Sequence, residues 1–189
     1  SGGYRSPICW IKDEGWKRTK NRRDYAMLPP GSVLIDWVKA SGGKTYAIGK
    51  IGDIFSMRNI DFNFTGTDLD LMDQLQKQIG SAEDGSLIFA NFVEFDSLFG
   101  HRRDPTGYAK ALEWFDNEIA SLVRNLLEDD LLIITADHGN DPTWSGTDHT
   151  REQVPVLIKG KVDLIQSGIE FRDVAELASK HLGVAIPEP

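Results

Sequence analysis

The sequence predicts an α/β fold: a mostly parallel sheet covered by helices on both faces. Short apolar runs and helix-spaced apolar residues take turns along the chain. The runs at 87–95, 131–136 and 154–158 are close to continuous, as strands covered on both faces are. The 189 residues, 40% of them hydrophobic and 26% charged, are enough to bury the core of one ordinary domain.

Each element has a local signal. Residues 1–27 interleave Trp10 and Trp16 with Lys12, Lys17, Arg18, Lys20, Arg22 and Arg23, and composition alone reads them as a solvated basic arm. Ser32 is placed to cap a short helix through Leu34, Trp37 and Val38, with Gly42 as its stop. Thr45–Ile48 follows as a short strand ending at Gly49 and Lys50. Leu69, Met72, Leu75 and Ile79 recur at helical spacing before a breaker run at 80–85, and Thr65 and Thr67 read as the turn and cap that start this helix. A buried strand is expected at 87–95. Pro105 suits the first turn of a long helix carrying Ala109, Leu112, Phe115, Ile119, Leu122 and Leu126. Strands at 131–136 and 154–158 come next, and a helix over Phe171–Leu182 closes the chain at Gly183. There is no internal repeat.

Charge and composition exclude several classes. A net charge of -8 does not provide the basic field that nucleic acids or anionic membranes select, so neither is expected as a partner. No apolar run approaches the ~20 residues of a membrane span, and the Ser-Gly-Gly-Tyr start has no signal-peptide core. The lone Cys9 cannot form an internal disulfide, which fits a reducing compartment. These features together place the protein in the cytoplasm.

Three of the four histidines fall in two short clusters that also hold aspartates. Asp96 and His101 lie in FDSLFGHRR; Asp137, His138 and His149 lie in TADHGNDPTWSGTDHTRE. One Asp-His pair after an apolar strand is explained by a polar loop. Two clusters, each following a strand, point to a metal site. Carboxylate oxygen with neutral imidazole suits a divalent ion of the Mn or Zn type better than Ca or Cu(I). Both clusters are expected at the carboxyl ends of strands, the edge of an open α/β sheet where ligands bind.

At these residues the chain resembles the carboxyl-terminal part of bacterial phosphopentomutases, members of the alkaline phosphatase superfamily. The resemblance rests on RTKNRRDYA (18–26), GKIGDIF (49–55), NFVEFDSLFGHRRD (91–104), TADHGNDPTWSGTDHTRE (135–152) and the VPVLIKG that follows, and it covers nearly the whole chain. TADHGN by itself would be shared with cofactor-independent phosphoglycerate mutases. Glu94 stands where the family more often has Asp, and Asn140 where Cys is common.

The resemblance implies two divalent ions, with Mn expected. Asp96, His101 and His149 correspond to the protein ligands of one, and Asp137 and His138 to half the ligands of the other. It assigns the sugar phosphate to Arg18, Lys50 and Arg5. Arg22, Arg23, Arg102 and Arg103 read more simply as salt-bridged loop residues. Asp141, Trp144 and Asp148, between the ligands, read as supporting or packing residues. The phosphate-accepting Thr and the remaining metal-ligand Asp match no segment here, so no catalytic nucleophile is assigned. Residues 1–27 correspond to the end of a cap domain and its hinge, and 28–189 to the carboxyl-terminal part of the metal-binding core, the cap being otherwise absent. The chain therefore reads as a fragment of an enzyme that interconverts (deoxy)ribose 1-phosphate and 5-phosphate, whose partner is its missing amino-terminal half. The alternatives are a phosphoglycerate mutase or phosphomonoesterase of the same superfamily, and a metal- and phosphate-binding fragment without activity of its own.

Overall fold

The computed structural model describes residues 8–12, 15–18, 26–162 and 168–186. Ile8–Ile11 (β1) and Gly15–Arg18 (β2) pair antiparallel, with Trp10 opposite Trp16 and Ile8 opposite Arg18. This corrects the reading of the basic segment as a plain arm. Aromatic and β-branched residues favour a pleated surface, and here they outweigh the cations around them.

The short helix Leu34–Ala40 (α1) forms where expected, but Val33 and not Ser32 is its N-cap. The closure comes from inside the helix, where the Asp36 carboxylate accepts the Val33 N–H at 2.9 Å. Asp36 is buried and also takes hydrogen bonds from Asn59 at 2.7 Å and Arg58 at 2.9 Å, which ties the helix start to the 58–59 turn. Thr45–Ile48 (β3) is buried throughout. Gly49 then turns with φ +80°, and a Cβ there would strike the Asn91 carbonyl, so only glycine fits. Two elements without a clear sequence signal follow: the helical turn Ile51–Ile54 (α2) and the three-residue strand Phe62–Phe64 (β4). Both are too short to establish a period.

Thr67 caps the helix Asp68–Ile79 (α3) as expected: its hydroxyl accepts the Asp70 N–H at 3.3 Å, and Asp70 accepts the Thr67 N–H at 2.9 Å. Leu87–Ala90 (β5) is shorter than the predicted 87–95 strand, because the chain leaves the sheet after Ala90 and winds into a π-helical turn at Phe95–Gly100. Such turns are rare and favour functional sites. Pro105–Asn125 (α4) starts at its proline and is capped by Asp104, which accepts the Gly107 N–H at 2.9 Å. Leu132–Thr135 (β6) and Val156–Lys159 (β7) pair antiparallel, and Phe171–Leu182 (α5) ends on Gly183 with φ +64°.

Strands β4, β3 and β5, in that order, form a parallel sheet, and successive residues of β3 show that it is covered on both faces. Ile48 packs with Leu71, Met72 and Leu75 of α3 and Leu122 of α4. Ala47, pointing the other way, packs with Ile35 of α1 and Ile51 of α2. The expected α/β architecture is present. The pair β6–β7 is not hydrogen-bonded to this sheet, although Leu132 packs against the same core cluster as Ile48. Among the described residues no helix is long and apolar enough to cross a membrane.

Asp68 ties the end of β5 to α3. It is only 3% exposed, and its Oδ2 accepts the Glu94 N–H at 3.1 Å. Burial pushes its carboxyl up to about 6, against the pull of the backbone hydrogen bonds from Glu94 and Val93. An acid with a raised folded-state pKa contributes stability that is full below its unfolded value of 3.8 and is lost as pH rises through about 6. Asp68→Asn removes that titration. Its stability relative to the unaltered chain is expected to rise across this window by on the order of 1–3 kcal/mol, read from urea midpoints at acid and neutral pH. A difference that stays flat would contradict this account of Asp68.

Candidate metal centre

Two loops build the site. Strand β5 delivers the π-turn that carries Asp96, with His101 next after it, and β6 delivers Asp137 and His138. The long β6–β7 loop returns His149, held by a β-bridge between Gly139 and Thr150. Residues separated by about fifty positions therefore meet.

His101 Nε2 lies 3.3 Å from Asp96 Oδ2, His149 Nε2 lies 3.2 Å from Asp96 Oδ1, and the two Nε2 atoms are 3.2 Å apart. Ligand atoms about 2.1 Å from a common ion stand about 3.0 Å apart at right angles and about 3.4 Å apart in a tetrahedron, so the triangle has the size of a coordination face. Tautomer chemistry agrees. His101 Nδ1 is 2.6 Å from the Thr147 carbonyl, which can only accept, so the proton of a neutral ring sits on Nδ1 and the Nε2 lone pair faces the centre. Two imidazole nitrogens and a carboxylate pointed at one another are stabilised by a cation between them.

His138 joins the same cluster. Asp96, His138 and His149 present ligand atoms within 4.8 Å of one another, and the His138 and His149 rings stack with centroids 3.6 Å apart. Asp137 is at the margin: its side chain is 76% exposed, with Oδ1 3.6 Å from His138 Nε2. Four of the five ligands expected from sequence are thus brought together, and Asp137 stands beside them facing solvent. Nearby, Tyr108 packs edge-on against Phe95, and its phenol is pushed up by burial and then by the Asp96 charge. The Asp141 carboxyl is held low, first by the Thr143 hydroxyl at 2.7 Å, in a turn that shapes the start of the His149 loop.

A protein-family model described as the metalloenzyme superfamily matches residues 16–185. The chain belongs to the metalloenzyme superfamily. It is 48% identical over 184 residues to a phosphopentomutase of Rhizobium meliloti (strain 1021), a stretch that is 95% of this chain and 45% of that protein. Against a phosphopentomutase of Actinobacillus succinogenes the identity is 45% over 184 residues, 95% of this chain and 47% of that protein. Against one of Shewanella woodyi it is 53% over 144 residues, 76% of this chain and 36% of that protein. The chain spans about half the length, or less, of the curated relatives it matches.

For a metalloenzyme superfamily member, the donor set fits divalent ions: one hard carboxylate and three imidazoles converging where solvent can reach. The cations assigned to substrate are positioned less completely. Lys50 is exposed at the start of α2, directly past β3. Because β3 runs parallel to β5, Lys50 and Asp96 leave the sheet at the same edge. Arg18 ends β2, and Arg5 lies outside the described residues.

Sequence reasoning missed Arg103 and Asn140. Read as a surface salt-bridge residue, Arg103 instead donates to four main-chain carbonyls and to Asn140. Asn140, 8% exposed, donates in turn to the Asp96 carboxylate at 2.6 Å. The only sequence trace of this arrangement is Gly100, where a Cβ would collide with the Asn140 amide.

Proposed function

We propose that this chain is the carboxyl-terminal part of a cytoplasmic phosphopentomutase that interconverts (deoxy)ribose 1-phosphate and (deoxy)ribose 5-phosphate by way of a phosphothreonine carried in the amino-terminal half. The observation that carries the reading is the Asp96–His101–His149 triangle, built on loops within a stretch that aligns with phosphopentomutases over 95% of this chain. In this reading residues 28–189 form the metal-binding part of the core, and residues 1–27 close a cap domain and hinge.

Asp96, His101 and His149 would hold one divalent ion, with Mn expected. Asp137 and His138 would hold a second, together with an Asp from the missing half. Bound ions would neutralise charge on the transferring phosphoryl group and on the oxygens that attack and leave. Lys50, Arg18 and Arg5 would grip the phosphate that is not reacting and so orient the sugar. The position of Lys50 at the same sheet edge as the metal ligands supports this for that residue.

Substrate assays on the full-length protein test the reading. Ribose 1-phosphate is expected to turn over and phosphoglycerate or a simple phosphomonoester is not; the reverse preference would place the protein with the other mutases or the phosphatases of the superfamily. In the same protein, Lys50→Ala and Arg18→Ala are expected to raise KM by roughly 10- to 100-fold and lower kcat, with metal content unchanged. A Lys50→Ala enzyme that loses its metals while keeping a normal KM would make that lysine structural.

A further inference from the structure

The loop between β6 and β7 has almost no regular structure from 141 to 149, yet it must hold His149 within a few tenths of an ångström of where an ion requires it. Its own backbone supplies little of that order. Beyond the Gly139–Thr150 bridge and the His101 contact with the Thr147 carbonyl, most of the order comes from one side chain of the other loop. Arg103 Nε donates to the Gly146 carbonyl at 2.5 Å, Nη2 to Asp148 at 2.6 Å, and Nη1 to Asp141 at 2.8 Å and to Gly100 of its own loop at 3.1 Å. Every one of these acceptors is neutral. Three of the carbonyls belong to the His149 loop, and Arg103 itself is two residues past His101.

Arg103 also holds a left-handed backbone with φ +54°, unusual for a residue with a side chain. Its surroundings fix this conformation, as is common where placement matters for function.

The contact with Asn140 extends the arrangement to the third ligand. Arg103 can only donate, so the Asn140 oxygen must face it, at 2.7 Å. The Asn140 amide nitrogen is then forced toward Asp96 Oδ1, which it reaches at 2.6 Å. Occupying one Asp96 lone pair in this way orients the carboxylate and leaves its other lone pairs for the centre. A cysteine at 140 could not accept from Arg103 and donate to Asp96 with comparable strength.

We propose that Arg103, acting directly on the His149 loop and through Asn140 on Asp96, is the positioning residue that pre-assembles the three-ligand face. The inference rests on the reading that Asp96, His101 and His149 hold a divalent ion. Lysine carries only three donors on one compact ammonium and no planar fork, so it cannot reproduce the five contacts that Arg103 spreads over both loops.

The test is Mn titration of the 189-residue chain by calorimetry, with thermal midpoints measured alongside, for the unaltered chain, Arg103→Lys, Asn140→Ala, the double variant, and Arg172→Lys on α5 as a control. Arg103→Lys and Asn140→Ala are each expected to weaken Mn binding by about 10- to 100-fold, the range for residues that orient metal ligands. Because they act in one chain of contacts, the double variant is expected to lose little more than Arg103→Lys alone. The control is expected to match the unaltered chain. Wild-type affinity in a folded Arg103→Lys or Asn140→Ala chain would overturn the inference, as would fully additive losses. If Arg103→Lys fails to fold, Asn140→Ala decides on its own; if both fail to fold, the contacts serve stability rather than the ligands and the inference is wrong. Absence of Mn binding by the unaltered chain brings down the metal reading itself, which is a different result.

Discussion

Assayed by itself with saturating Mn, the 189-residue chain is expected to convert no ribose 1-phosphate. The chain covers 45% and 47% of the length of two phosphopentomutases it aligns with, and in the proposed reading the phosphate-accepting Thr belongs to the amino-terminal half. Thr65 and Thr67 do not substitute for it: Thr67 is occupied as the cap of α3, hydrogen-bonded to Asp70, and Thr65 stands in the turn before it. The second ion would keep only Asp137, largely in solvent, and His138. Mixing the chain with the missing half is expected to restore turnover. Among the described residues β5 has no strand partner on its outer side, and Phe89 and Leu157 are 39% and 60% exposed, so apolar strand surface is open to be covered. A coupled assay on the chain, on the other half, and on the mixture decides this. Turnover by the chain alone, abolished by Asp137→Ala, would show that a nucleophile lies within it.

Loss of either central histidine is expected to remove most of the Mn affinity of this chain. His101 and His149 each supply one corner of the ligand triangle, and His101 is already fixed in tautomer by the Thr147 carbonyl. In the proposed assignment His138 serves the second ion, so deleting His101 or His149 leaves the first ion a pair of protein ligands, and a pair competes poorly with water. His101→Ala and His149→Ala are each expected to weaken binding by at least about 100-fold, more than the loss of a supporting residue costs. His181→Ala is the comparison, since that ring is partly buried on α5, near Asp129 and away from the cluster. Calorimetric titrations giving equal effects at all three positions would remove the assignment.

The strands and helices long enough to show a period were legible in the sequence. Thr45–Ile48 and Phe171–Leu182 match residue for residue, and α4 begins at the expected proline. The strand at 87–95 was overextended because Phe92, Val93 and Phe95 are apolar for a different reason. Phe92 and Phe95 both pack edge-on against Phe115 of α4 while the backbone is already turning toward Asp96. The Ser32 cap failed because Asp36, a buried carboxylate inside the helix, satisfies Val33 first. In the site, the ligands could be found because carboxylates and imidazoles are scarce and chemically specific. Arg103 could not, since an arginine that binds carbonyls forty residues away leaves no pattern in its own neighbourhood.

The most direct test of the metal centre is anomalous diffraction at the manganese edge from crystals of this chain grown with Mn. The expected result is an anomalous peak about 2.2 Å from an Asp96 carboxylate oxygen, His101 Nε2 and His149 Nε2 together. A chain that binds Mn with its strongest peak elsewhere, and leaves those three side chains without an ion between them, would contradict the account.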